Sequence, residues 1–272
     1  MGKQNEPVRV CYIASSSHSG TTILSRYLCK EKGFLSLGEI HLTWLKYLSD
    51  KDVLMKEICS CGQSAASCNF WSEIFSIWNL NHGLQNAYSE LVKFCMNQYP
   101  EFTIVDSSKY IKGISPWMEF ENVDLRVIHL VKDVRNYTVS QIDNALKKGV
   151  RRKLPGFRHH FFWWQQHQRL IKFLNDNQLN SILMSYEKWA IEPTFMFLNK
   201  VNGLNNPLNI INPKKADSVH HILTGNNSRL TSDIDRIVYD YRWFHRNEWL
   251  LAYLLMGPIR KFNTEIIKNE ET

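Results

Sequence analysis

Short apolar runs alternate along the chain with longer stretches in which apolar residues recur at helical spacing. The runs Val8–Ala14, Phe34–Leu37, Phe102–Val105, Leu125–Val131 and Ser181–Met184 read as strands. Helical patterns run from Ile23 to a stop at Gly33, over 41–58, over 70–98 with a break near Asn81–Gly83, and from Tyr137 to Leu146. Further helical patterns cover 159–175, 193–202 and Ser232–Met256. Three stretches lack periodicity: the cysteine-containing 59–70, the basic KKGVRRKLPGFR at 147–158, and the Asn-, Gly- and Pro-rich 203–228. Strands separated by helices predict a three-layer α/β fold, with a mainly parallel central sheet flanked by helices. No linker-like shift in composition divides residues 1–272, so a single domain is expected.

Polar residues collect where these strands end. After Val8–Ala14 comes Ser15, Ser16, Ser17, His18, Ser19, Gly20, Thr21, Thr22, and then the apolar start of a helix. A strand, a small-residue turn and a helix N-terminus form an anion cradle, because backbone N–H groups and the helix dipole both favour negative charge. The phosphate loop of ATP and GTP enzymes, GxxxxGK[ST], has this layout. Aligned on Gly20, the present loop keeps the final hydroxyl as Thr22 but carries Thr21 in place of the lysine, and lacks the first glycine. The scaffold is that of a P-loop-like fold without its γ-phosphate lysine. Gly38-Glu39 follows the second strand, Asp106-Ser107-Ser108-Lys109 the third, Lys132-Asp133-Val134-Arg135 the fourth and Tyr186-Glu187-Lys188 the fifth. In open α/β sheets ligands bind at these strand ends.

Composition narrows the partner classes. A hydrophobic share of 44% supports a full core and excludes wholesale disorder. The net charge of +7 suits an anionic ligand. Basic residues are scattered except at Lys147–Lys153, and no nucleic-acid motif is present, so no nucleic-acid partner is expected. The polar start MGKQNEP argues against a signal peptide, and Glu6 breaks the myristoylation pattern. The longest apolar run, Trp249–Met256, is far short of the roughly 20 residues of a membrane span. A cytoplasmic protein is the expectation. Of the six cysteines, Cys11 and Cys29 fall in core-like positions, while Cys59, Cys61 and Cys68 form a local cluster. Three cysteines at this spacing fall short of the four ligands of a structural zinc site, so the cluster reads as loop-structuring, with a metal or a local disulfide as alternatives.

Several segments together resemble the sulfotransferases that use 3′-phosphoadenylyl sulfate (PAPS). SSSHSGTTIL resembles their 5′-phosphosulfate loop, which carries SGTT where kinases carry GK[ST]. VIHLVKDVRNYTVS resembles their second motif, a basic residue at a strand end followed eight positions later by Ser. SYEKW, HHILTGNNSRL and IVDSSK resemble further family segments, and CSCG…CNFW points to the bacterial-type branch, with similarity also to tyrosylprotein sulfotransferases.

The resemblance implies roles by residue. Ser17, His18, Ser19, Gly20, Thr21 and Thr22 would hold the 5′-phosphosulfate. Lys132 and Ser140 would bind the 3′-phosphate, with Lys132 a departure from the usual Arg and Arg135 able to share its work. Tyr186 would neighbour the adenine, and Arg229 in the late loop would be a further 3′-phosphate contact. Glu39 matches the Gly-Glu that supplies the base in tyrosylprotein enzymes, with His41 the alternative. His18 stands where the family carries Lys or Arg, and Lys109 would neutralise the moving sulfuryl group. Asp106 reads as a structural residue beside Lys109. Sulfuryl transfer parallels phosphoryl transfer but moves less charge, so a site of N–H donors, hydroxyls and cations without metal is expected. The acceptor would be a small molecule or glycan. The rival readings are a P-loop kinase or NTPase, for which Thr21 is the wrong residue, and a nucleotide- or RNA-binding protein without catalysis.

Overall fold

The computed structural model describes residues 7–30, 33–81, 83–151, 153–191, 219–231 and 237–268. Its strands are β1 (Val8–Ser15), β2 (Phe34–Gly38), β3 (Thr103–Lys109), β4 (Val123–Val131), β5 (Asn180–Ser185) and β6 (Val219–His220). They form one sheet in the order β5-β4-β1-β3-β2-β6. Strand β2 pairs in parallel with β3, Leu35 opposite Ile104, and with β6, Ser36 opposite His220. The helices are α1 (Thr21–Leu28), α2 (Ile40–Ser49), α3 (Lys51–Lys56), α4 (Asn69–Ile77), α5 (Leu84–Gln98), α6 (Ile111–Met118), α7 (Val134–Lys147), α8 (Pro155–Asp176), α9 (Tyr186–Ile191), α10 (Leu250–Leu255) and α11 (Gly257–Lys268). The result is the expected α/β architecture, a mainly parallel central sheet flanked by helices. No helix among the described residues is long and apolar enough to cross a membrane.

Three elements depart from the sequence expectation. The helical stretch 41–58 divides at Asp50, whose extended backbone breaks the ladder while its side chain caps α3 by accepting from Val53 N at 2.9 Å. The stretch expected as one helix from Ser232 to Met256 is irregular over 237–249 apart from a single 3-10 turn at Arg242–His245, and becomes α-helical only at Leu250. Residues two apart, Asp240 and Arg242, are both committed to polar partners there, and an α-helix would turn them to different faces. Strand β6 lies in the stretch read as loop. The helix expected over 193–202 lies outside the described residues.

The chain divides into two compact units. The first draws on Met1–Ile13, Thr22–Val127 and Leu204–Ile234, the second on Ala14–Thr21, Ile128–Gly203 and Asp235–Thr272. The first is built around an aromatic cluster: Trp44 stacks on Tyr47, and Trp78 meets both edge-on, with Trp71 and Phe75 alongside. In the second, Val131, Val134, Tyr137 and Trp163 pack with Ile259 and Ile266 of α11.

Strand β3 runs past its apolar part because its polar residues are bonded internally. The Asp106 side chain, fully buried, accepts from Ser108 N and Trp117 Nε1, both at 2.9 Å, and from the Ser108 hydroxyl. The Ser108 hydroxyl in turn accepts from His41 N at 3.0 Å, tying the end of β3 to the start of α2. Both oxygens of Asp106 are thus engaged by residues of β3 and α6. Burial pushes its carboxyl up to about 7, against the pull of Ser108 and Trp117.

A carboxyl raised by folding holds more protons in the native than in the unfolded state. Its contribution to stability is therefore fullest below about pH 4 and is lost as pH rises through about 7. Chemical denaturation of wild type and Asp106→Asn across this range should show wild type losing stability relative to the variant by a few kcal/mol, an order-of-magnitude figure. A constant difference between the two would place the Asp106 carboxyl near its ordinary value.

Candidate active site

The second unit gathers most of the residues that the sequence assigns to an anionic cofactor. The turn after β1 is shaped by its own hydroxyls: Ser15 Oγ donates to Leu130 O at 2.6 Å, and Ser16 and Ser19 share a hydrogen bond of 2.8 Å. Gln141 of α7 donates to Ser17 O at 3.4 Å. His18 is exposed and takes a left-handed φ of 62°. Gly20, with φ of 89°, lies against the ring of Tyr186; a Cβ there would meet it at 2.4 Å. Glycine is the residue that this approach and this backbone angle admit.

From Tyr186 a continuous set of contacts leads to the strand–helix junction after β4. The Lys132 ammonium lies 5.4 Å from the Tyr186 ring centroid and pairs with Asp240 Oδ2 at 2.8 Å. Arg242 donates to the same carboxylate oxygen at 2.7 Å and to Ser140 Oγ at 2.8 Å. Burial works against the Asp240 carboxylate, yet Arg242 and Lys132 together hold it well below the ordinary range. Burial also pushes the Tyr186 phenol up to about 12, so it is neutral at physiological pH.

Asp240 and Arg242 are the residues that sequence reasoning missed, because their stretch reads as part of a helix. The charges at 240, 242, 246 and 248 recur at even spacings, and that is the signal against a helix with one polar face. The Arg135 guanidinium is paired with Asp133 and stacked 3.7 Å above the Trp243 ring. Arg229 belongs to the first unit, where it pairs with Glu57 at 3.2 Å. Within the second unit, Arg242 stands beside Lys132 and Ser140.

The first unit holds the proposed acid–base groups. Glu39 is the residue between β2 and α2, and its carboxylate accepts from the Lys109 ammonium at the end of β3. Both side chains are largely buried, and Lys109 is itself left-handed, φ 71°. The Glu39 carbonyl accepts from Thr43 Oγ1 at 3.0 Å and Thr224 Oγ1 at 2.9 Å, which fixes the backbone beneath the carboxylate. Next to Thr224, Gly225 comes close: a Cβ built there would lie 3.3 Å from Glu39 Oε1 and 3.4 Å from Thr22 Oγ1. The glycine of the late segment thus brings Thr22 and Glu39 to a common point. His41, the alternative base, is lowered by burial and by Lys112, and its Nδ1 is buried without a hydrogen-bond partner among the described residues.

No family model and no curated protein matches the sequence. Two solved structures match the fold over nearly its whole length. One is a sulfotransferase domain from the curacin biosynthetic pathway, at 16% identity and a TM-score of 0.53, covering 95% of this chain and 96% of that one. The other is a sulfotransferase domain from the Synechococcus PCC 7002 olefin synthase, at 15% identity and a TM-score of 0.50, covering 100% of this chain and 98% of that one. The chain therefore has the fold of sulfotransferase domains.

Proposed function

We propose that this protein is a single-domain, PAPS-dependent sulfotransferase of the cytoplasm that sulfates a hydroxyl on a small molecule or glycan. The observation that supports this best is the chain of contacts Gly20–Tyr186–Lys132–Asp240–Arg242–Ser140 within the second unit. Gly20, Tyr186, Lys132 and Ser140, from separate stretches and each assigned to one cofactor on resemblance alone, are joined in a single set of contacts by Asp240 and Arg242. Tyr186 would flank the adenine and the loop from Ser17 to Thr22 would cradle the 5′-phosphosulfate. Lys132, Ser140 and Arg242 would bind the 3′-phosphate, the last with the planar fork that Lys132 lacks. Asp240 would be the internal counter-ion that the phosphate replaces.

In the reaction, the acceptor oxygen attacks sulfur in line as the bond from sulfur to the bridging phosphate oxygen breaks, and adenosine 3′,5′-bisphosphate leaves. The acceptor proton passes to Glu39, oriented by Lys109 through its side chain and by Thr43 and Thr224 through its carbonyl. His18, when protonated, would stabilise the leaving phosphate, and Lys109 would neutralise charge on the sulfuryl group. The kinase or NTPase reading has no support from Asp106, whose two oxygens are already engaged by Ser108 and Trp117.

Calorimetry tests the cofactor assignment. Adenosine 3′,5′-bisphosphate should bind, and Ser140→Ala or Arg242→Ala should weaken it by about tenfold, roughly 1.4 kcal/mol, while sparing a nucleotide without the 3′-phosphate. Tight ATP–Mg binding with indifference to the bisphosphate would overturn the reading. Glu39→Gln should lower turnover by roughly 10²- to 10⁴-fold, the usual range for a general base, with bisphosphate affinity little changed. Unchanged turnover would move the base to His41.

A further inference from the structure

The sequence leaves Cys59, Cys61 and Cys68 without a settled role, and the proposed chemistry does not use them. The fold brings a fourth soft donor to them from far along the chain. The three sulfurs and a ring nitrogen of His221 all lie within 4.8 Å of one another. Cys59 and Cys68 Sγ are 3.7 Å apart, and His221 Nδ1 stands 3.2 Å from Cys68 Sγ and 4.0 Å from Cys59 Sγ. A tetrahedral zinc ion with bonds of ~2.3 Å to sulfur and ~2.0 Å to nitrogen sets its ligands about 3.8 Å apart for sulfur–sulfur and about 3.5 Å for sulfur–nitrogen. The observed spacings sit at or around these values. The six cysteines are all free thiols.

The surroundings are those of a built site. Cys59 heads a tight turn in which Gly62 N donates to Cys59 O at 2.9 Å and Cys59 N donates to Gln63 O at 2.8 Å, with Gly62 left-handed at φ 89°. This turn folds Cys61 back beside Cys59. Cys68 is the residue preceding α4, and its N donates to Ser64 O at 2.8 Å. His221 is oriented from three sides. Its N donates to Ser36 O at 2.8 Å, its O accepts from Trp71 Nε1 at 2.6 Å, and its ring stacks on Phe70. Cys59 and Cys68 are buried, His221 is half-buried and Cys61 is exposed, so the cluster has a dry interior and one side open to entry.

We propose that Cys59, Cys61, Cys68 and His221 bind one zinc ion, a structural site that fastens residues 219–225 to the cysteine loop. Loading converts three thiols to thiolates and releases their protons, and the neutral imidazole completes the set. Four protein ligands leave no open position, so the ion is structural rather than catalytic. Its consequence runs along the chain: His221 follows β6 and leads directly to Thr224 and Gly225, which touch Glu39 and Thr22. Ser60, between two ligands, reinforces the link by donating from N to Ile222 O at 3.0 Å.

Metal content of the full chain, purified without an immobilised-metal column, tests this independently of any transferase activity. The protein, incubated with zinc and dialysed against a weak chelator, should retain about one equivalent by plasma mass spectrometry, the stoichiometry of a mononuclear site. A mercurial that titrates the thiols should release it in step with three of them. Cys61→Ser, at the exposed position, and His221→Ala should each reduce retention at least tenfold, whereas His221→Cys, which restores a four-ligand set, should keep it. Wild-type protein that retains less than about a tenth of an equivalent overturns the proposal, as does a disulfide between any two of these cysteines in unreduced peptide maps. The wild-type arm decides the matter even where a variant fails to fold.

Discussion

The close approach of Gly20 to the Tyr186 ring is the constraint on which the arrangement of the second unit depends. The turn after β1 must pass against an aromatic ring that leaves no room for a side chain, with a backbone angle that side chains disfavour. Once the ring is seated there, the Lys132 ammonium lies over it, and the ammonium pairs with Asp240, which Arg242 joins. A methyl group at position 20 would push the ring away and disturb each later contact in turn. The small-residue character of this loop is thus a packing requirement as much as a requirement of anion binding.

An analogous economy operates in the first unit. Glu39 is directed by its carbonyl as well as by its carboxylate. Thr43 and Thr224, 181 residues apart in sequence, bring their hydroxyls within 2.7 Å of each other, and both donate to the same carbonyl. With Gly225 adjacent, the late segment both supports the carboxylate from below and leaves space beside it. Buried polar groups are costly unless satisfied, and here the satisfaction of one backbone oxygen links α2 to the segment after β6.

Much of this was legible in the sequence because it is local. The strand runs, the loop from Ser15 to Thr22, Gly38-Glu39 and Lys132 through Ser140 each announce themselves within a short window, and β1, β2, β4 and α7 form where the pattern puts them. Contacts between distant windows were not legible. Arg242 reaches Ser140 across 102 positions, and His221 reaches Cys68 across 153. No periodicity joins such positions, so three cysteines looked short of a metal set and a charged irregular segment looked like a helix. Asp50 shows a milder form of the same limit: its cap at the start of α3 interrupts a pattern that continues past it.

The charges at the start and along α7 meet those of residues 240–248 in an alternating sequence. Lys132, Asp240, Arg242, Asp143, Arg246 and Glu248 each contact the next, at 2.6 to 2.9 Å. Three cations and three anions sum to zero, so the segment is fastened without leaving excess charge. The Asp240 and Glu248 carboxyls are depressed, and the Arg242 and Arg246 guanidinium groups are raised. At these four members the fastening is pushed toward its charged forms. Ionic strength is the variable to which it responds, because several members are partly exposed and dissolved salt screens them. Dissolved salt thus bears directly on how firmly this part of the chain is held to α7.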